Sequence, residues 1–222
     1  LLPLLMQRRD LSITSATLLV SLFIFSSSIT QPVFGYLADR VTRRYFVVMA
    51  PILSALFMSS IGVATSYRML ASTLLIGGLG IAAFHPQTVS LAGLASGGRR
   101  GLGVSLFISG GTIGYALGPL WIVSLVMVMG LESSQLAAIP GLVFVAFLLG
   151  GGVLREKVEN RREKLSLIKS FGPHSRAIGF LFIVVVLWTV VRTGFISLLP
   201  ILYAQRGHTL LSGGGIITVF VI

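Results

Sequence analysis

The chain has 222 residues, of which 55% are hydrophobic and only 10% charged, with a formal net charge of +11 and a mean hydropathy of +0.96. That balance excludes an ordinary water-soluble domain, and the absence of cysteine excludes disulfides and thiolate metal sites. The basic excess could suit nucleic acid, but the positions of the cations exclude that partner.

In chain order, Leu1–Met6 reads as the tail of a first helix and Gln7–Asp10 as a short loop. Apolar spans follow over Thr14–Tyr36, Tyr45–Thr65, Met69–Gly93, Leu102–Val128, Gln135–Leu154 and Ala177–Tyr203, and another starts near Leu210. At about 1.5 Å of rise per residue, each complete span is long enough to cross the ~30 Å apolar core of a bilayer. Lipid leaves strand edges unsatisfied, so the spans are expected to be helices. The fold class is therefore all-α, a polytopic transmembrane bundle, and its 26 glycines suit close helix approach in lipid.

Residues 1–154 are expected to form one bundle, 155–176 a basic linker on the inner membrane surface, and 177–222 the start of a second bundle. In the linker, Leu154, Val158, Leu165 and Ile168 fit one helical face imperfectly, which suggests an interfacial helix. The chain starts inside one apolar run and stops inside another, without a visible signal peptide. It is expected to be a fragment: one remnant helix, six complete ones and the start of an eighth. Six-helix units joined by a long loop build paired-bundle transporters, so the missing C-terminal helices of the same protein are an expected partner.

The cations sort by side. Of the 17 Lys and Arg residues, Arg40, Arg43, Arg44, Arg99, Arg100, Arg155, Lys157, Arg161, Arg162, Lys164, Lys169 and Arg176 fall on one face. Arg8, Arg9, Arg68 and Arg206 fall on the other, and Arg192 lies within a span. The positive-inside rule places the richer face in the cytoplasm, beside anionic headgroups of the lipid bilayer. The expected location is the bacterial inner (plasma) membrane, crossed many times.

Four features bear on function. Between two uncharged spans, Gly35-Tyr-Leu-Ala-Asp39-Arg40-Val-Thr-Arg43-Arg44 forms a charged island, either a topogenic turn or a set of charge-assisted contacts between helix ends. Gly110, Gly114 and Gly118 recur every fourth residue, followed by Pro119, and fit either a groove for another backbone or ordinary helix packing. His85 is the one histidine within a span; an imidazole there can carry protons, or simply hydrogen-bond beside the Pro86 kink. Arg192, expected about 15 Å from His85 in depth, either snorkels to headgroups or faces a cavity and binds an anion. Trp188 could stack on a substrate or pack, and Gln31 and Gln87 are polar groups available to a cavity wall.

The island resembles the signature loop of the major facilitator superfamily, with Thr42 where the usual form has glycine. Phe84-His85-Pro86, Ser96-Gly-Gly-Arg-Arg-Gly101, Ser105-Leu-Phe107, Gly110-Gly111, Gly114 and Leu117-Gly118-Pro119 are similar to the fosmidomycin-resistance branch of that superfamily. The superfamily resemblance covers the whole chain and the branch resemblance about residues 77–120. It implies that Gly35, Asp39, Arg40, Arg43 and Arg44 form a gating loop that latches the outward-facing state. Gly114-xxx-Gly118-Pro119 resembles the antiporter motif of drug exporters, but Ile122 and Val123 stand where that motif has two glycines. Leu74 stands where the fourth helix often carries an arginine.

No zinc motif, nucleophile elbow or phosphate loop is present, so no enzyme, metal or cofactor is expected, and uphill transport would need an ion gradient. The reading is a proton-coupled secondary transporter that exports a small, fosmidomycin-like drug or metabolite by alternating access. Alternatives are an importer of a small organic solute, or a non-transporting membrane sensor or degenerate fragment.

Overall fold

The computed structural model describes residues 2–38, 40, 43–151 and 175–221, and no strand occurs among them. In order they form α1 (Leu2–Arg8), α2 (Ile13–Ser28), α3 (Gln31–Ala38), α4 (Arg43–Ser59), α5 (Tyr67–Ala95), α6 (Arg100–Met129), α7 (Ile139–Gly150), α8 (Ser175–Gln205) and α9 (Leu210–Val221). Short 3-10 turns, Ser60–Val63, Gly97–Arg99 and Leu131–Ala138, sit between them. Six helical segments are long and apolar enough to cross a membrane: Ile13–Ala38, Tyr45–Val63, Tyr67–Ala95, Gly97–Met129, Leu131–Gly150 and Ser175–Gln205. The fold is an all-α transmembrane bundle.

Junctions alternate between two ends. One end carries Arg40, Arg99, Arg100 and Arg176 and is called the basic end below. At the opposite end, three helices start on a hydroxyl cap. Ser12 accepts from the Ser15 amide at 3.1 Å, Ser66 from the Met69 amide at 3.2 Å and Thr209 from the Ser212 amide at 3.3 Å. Each cap satisfies an amide that has no partner inside its own helix.

Two spans depart from the sequence expectation. Thr14–Tyr36 is not one uniform helix but α2 and α3, joined at Ile29–Thr30. Pro32 has no N–H to donate to the preceding turn. Beside it the Thr30 hydroxyl donates to the Ser26 carbonyl, and Gln31 Nε2 donates to the Ser27 carbonyl at 2.9 Å. Side chains thus take up carbonyls at the bend. Gln135–Leu154 is likewise not a continuous α-helix, because Leu131–Ala138 is 3-10 and α7 begins only at Ile139, with Pro140 in its first turn. Gln7 and Arg8, expected in a loop, complete the last turn of α1. Of the linker, residues 155–174 lie outside the described residues.

Helix α5 is the centre of the bundle, flanked by α2, α3, α4 and α6. Its glycines explain how the neighbours come so near. A Cβ at Gly77 would meet Met58 Sδ at 2.7 Å, one at Gly78 would overlap the Ser26 hydroxyl, and one at Gly80 would lie 2.9 Å from the Ala50 carbonyl. Ser54 Oγ on α4 donates to the Gly77 carbonyl at 3.2 Å, so the close approach also yields an interhelical hydrogen bond. At the opposite end, the buried Ser134 hydroxyl donates to the Ser59 carbonyl at 2.7 Å and accepts from the Gly62 amide at 3.1 Å. Leu5, Leu19, Ile61, Ala64, Leu70, Val126 and Leu131 form an apolar cluster at that end.

Helices α8 and α9 attach to this framework on one side. Helix α9 packs on α6 and α8, and α8 touches α1. The Thr218 hydroxyl donates to the Ala116 carbonyl at 2.6 Å, joining α9 to α6.

Among the described residues, no neighbour fills the groove that Gly110, Gly114 and Gly118 could offer. A Cβ at any of the three would find nothing within 4 Å. The two kinds of glycine therefore respond oppositely. Gly78→Leu should lower the thermal midpoint of the purified chain in detergent, by about 1–3 kcal/mol of overpacking. Gly114→Ala should leave the midpoint unchanged or raise it, since alanine favours a helix interior over glycine by about 0.5–1 kcal/mol. Equal destabilisation by both would show that α6 is packed as tightly as α5.

Candidate functional site

The charged island comes first in the chain. Gly35 lies within α3, and a Cβ there would meet nothing within 4 Å, so no close approach among the described residues requires glycine at this position. The Arg40 guanidinium lies over the Tyr36 ring, 4.2 Å from its centroid. That cation–π contact turns Arg40 back onto the helix preceding it. Asp39 lies outside the described residues, as do the side chains of Arg43 and Arg44, whose backbone opens α4.

The helix entering this loop is pinned from α5. Gln87 is only 3% exposed, and its Nε2 donates to the Phe34 carbonyl at 3.1 Å. Gln87 therefore sits in a helix contact rather than on a cavity wall, and Gln31 is occupied by its own helix junction. One residue pattern could have signalled this: a lone amide beside Pro86 in an otherwise apolar helix needs a buried partner. Phe34 also meets Phe46 edge-on at 6.1 Å, tying α3 to α4.

His85 is exposed, and its ring meets Phe107 of α6 edge-on, centroids 6.1 Å apart. Among the described residues the ring has no hydrogen-bond partner. The hydroxyl that engages the backbone near Pro86 is Thr88, which donates to the carbonyls of Phe84 at 2.9 Å and His85 at 3.1 Å.

Arg192 is half-buried on α8, its guanidinium 5.9 Å from the centroid of Tyr115 on α6. Among the described residues no carboxylate pairs with it. Helix α6 thus serves as a ruler between the two ionisable groups. His85 meets it at Phe107 and Arg192 at Tyr115, about 12 Å apart along the axis. The structure does not bring His85 and Arg192 together. Trp188, one turn before Arg192, is 67% exposed on the outside of α8.

Tyr115 opens onto a cavity of about 280 Å³ between α1, α2 and α6 on one side and α8 and α9 on the other. Its walls combine apolar Val20, Phe23 and Ile24 with the hydroxyls of Tyr115, Thr193, Ser197 and Thr209. Pro119 and Pro200 also line it. Each is inside a helix and deprives the carbonyl four residues earlier, Tyr115 and Ile196, of its helical donor. Both of those residues line the same space. The result is an apolar chamber with hydroxyls and backbone acceptors, the usual make-up of a small-molecule site, and the Arg192 guanidinium reaches it only through Tyr115. Sequence reasoning singled out Arg192 and Pro119 but missed Tyr115, Thr193 and Ser197, since pairing across helices of two sets leaves no local spacing.

A multi-pass helical membrane protein with a mainly apolar, hydroxyl-bearing chamber between two helix sets has the form of a solute carrier. The comparisons specify it: residues 1–222 match the Major Facilitator Superfamily, and the chain belongs to that superfamily of membrane transporters. It is 35% identical over 120 residues to the Fosmidomycin resistance protein of Escherichia coli (strain K12), covering 53% of this chain and 29% of that protein. It is 32% identical over 126 residues to the Uncharacterized MFS-type transporter YfnC of Bacillus subtilis (strain 168), covering 57% of this chain and 31% of that protein. The matched segment is thus under a third of each relative's length. No solved structure matches the chain significantly.

The two roles open to Gln87 separate by experiment. Gln87→Leu removes the side-chain bond that ties α5 to the Phe34 carbonyl, so it should lower stability by about 0.5–1.5 kcal/mol, read as a lower thermal midpoint in detergent. An unchanged midpoint would return Gln87 to the cavity wall.

Proposed function

We propose that the protein to which this chain belongs is a secondary transporter that exports a small anionic drug or metabolite, driven by protons, by alternating access. One observation carries the reading: Arg192, without a carboxylate partner among the described residues, stands over Tyr115 at the wall of the 280 Å³ cavity. A guanidinium at membrane depth is costly unless a partner or a water-filled cavity compensates it. A phosphonate or carboxylate arriving in the chamber would supply that partner through charge-assisted, two-pronged hydrogen bonds. The hydroxyls of Thr193 and Ser197, within one and a half turns of Arg192, would bind the rest of the polar head. Similarity to a protein whose name records resistance to fosmidomycin supports export of such a compound.

Residues 1–154 form the first bundle in this reading, 155–176 the cytoplasmic linker and 177–222 the start of a second bundle, completed by further helices of the same protein. The membrane is the bacterial inner membrane, with the basic end in the cytoplasm. Arg40, Arg43, Arg44 and Asp39 form the latch at that end, with Gly35 in the last turn of the helix before it. Gly110, Gly114, Gly118 and Pro119 lie on the helix that changes neighbours as the halves rock. His85 takes the proton on the cytoplasmic side of the chamber, as the one imidazole within a span. Gln31 and Gln87 hold the surrounding helices rather than the substrate, and Trp188 faces outward from α8.

The test is transport by the full-length protein. Cells expressing it should accumulate less labelled phosphonate than controls, and proteoliposomes should show a phosphonate-dependent pH change. Arg192→Gln should reduce transport about tenfold or more, the expected loss of a charged hydrogen bond, while Arg192→Lys retains part of it. His85→Gln should abolish the pH change. Higher accumulation would reverse the direction to import, and absence of any flux across a panel of anions would remove the transport reading.

A further inference from the structure

A second cavity, of about 270 Å³, lies at the end opposite the basic loops. Arg8 and Arg9 at the close of α1, Gly62, and the turn from Met129 to Glu132 enclose it. It shares no residue with the chamber beside Arg192.

Charges of both signs face this space without meeting. Neither arginine forms an ion pair with Glu132 among the described residues. Arg9 Nε is buried and has no hydrogen-bond partner, and a buried donor left unmade is expensive. A simple anion would satisfy Arg9 but face the carboxylate of Glu132. A simple cation would satisfy Glu132 but face two guanidiniums. A molecule carrying both an anionic and a cationic group spans the cavity and completes both halves.

The setting favours a lipid over a free solute. The apolar run of α1 ends at Arg8 and that of α6 at Met129, which puts the cavity where hydrocarbon gives way to headgroups. Met129 belongs to the cavity wall and is 59% exposed, with Val128 at 84% and Met127 at 54% beside it. A polar pocket for the head thus borders an exposed apolar helix end, against which an acyl chain can lie. Glycine at 62 lets the wall close tightly on the Leu131–Ala138 segment, because a Cβ there would overlap the Leu131 carbonyl and the Ser134 hydroxyl.

We propose that this cavity binds the headgroup of a zwitterionic aminophospholipid, its phosphate on Arg8 and Arg9 and its ammonium on Glu132. The site is independent of the transport chamber, and its occupancy fastens the α1–α2 turn to the Leu131–Ala138 segment.

The experiment is native mass spectrometry of the purified full chain released from nanodiscs of equal parts dioleoyl phosphatidylethanolamine and dioleoyl phosphatidylglycerol. Phosphatidylethanolamine should be retained over phosphatidylglycerol by about tenfold, the worth of one charged hydrogen bond. Glu132→Gln, an exposed position that folding tolerates, should erase that preference while leaving phosphatidylglycerol bound. Arg9→Ala should cut retention of both lipids, and Arg9→Lys should restore part of it. Equal retention of the two lipids by the unaltered chain, or an undiminished preference in Glu132→Gln, would overturn the site. Displacement of the lipid by soluble phosphoethanolamine at matched concentration would overturn the choice of a lipid and assign the cavity to a free zwitterion.

Discussion

A bilayer offers no hydrogen-bond partner to an exposed peptide group, and the rest of this structure follows from that constraint. Every span must satisfy its backbone internally, so helices are the only form available. Helices in lipid gain nothing from hiding apolar side chains from one another, because the tails are equally apolar. What holds them is close approach and the polar contacts that close approach permits. Around α5 this takes a specific form: Gly77, Gly78 and Gly80 admit Met58, Ser26 and the Ala50 turn, and Ser54 then reaches the Gly77 carbonyl.

The same constraint governs the irregular parts. Backbone that leaves the α-helix must find side-chain partners, and each departure has one. Thr30 and Gln31 take up carbonyls at the α2–α3 bend. Ser134 takes a carbonyl and an amide where 3-10 turns replace helix near Gly62. Thr218 reaches the Ala116 carbonyl three residues before Pro119. Polar side chains in this protein mostly serve its own backbone. Arg192 and His85 do not follow this pattern among the described residues, which is why function is sought there. A cavity with something to bind in it would offset the cost of the Arg192 charge.

Span positions, the all-helical class and the family were legible in the sequence because each depends on local composition: long uncharged runs, cations gathered between them, and a short signature loop. The α2–α3 bend was not, although Pro32 marks it, since proline is tolerated in membrane helices whenever nearby hydroxyls and amides compensate. The tight glycines of α5 were not singled out. The regular Gly110, Gly114, Gly118 spacing drew attention, yet a groove matters only where a neighbour fills it, and the neighbours lie over Gly77, Gly78 and Gly80. Of the candidate site, Arg192 was legible as a charge inside a span. Tyr115, Thr193 and Ser197 were not, because their meeting depends on how α6 and α8 face each other. Gln87 was recognised as an odd polar residue, but its partner, the Phe34 carbonyl, is 53 positions away in sequence.

The central claim is that lipid surrounds these helices with the basic end on the cytoplasmic side. The chain contains no cysteine, so single cysteines placed at Gly98 and at Thr65 report the two ends without background. A membrane-impermeant maleimide added to intact cells should label Thr65→Cys at once and Gly98→Cys only after permeabilisation. Labelling of Gly98→Cys from outside, or of both positions alike, would contradict the account.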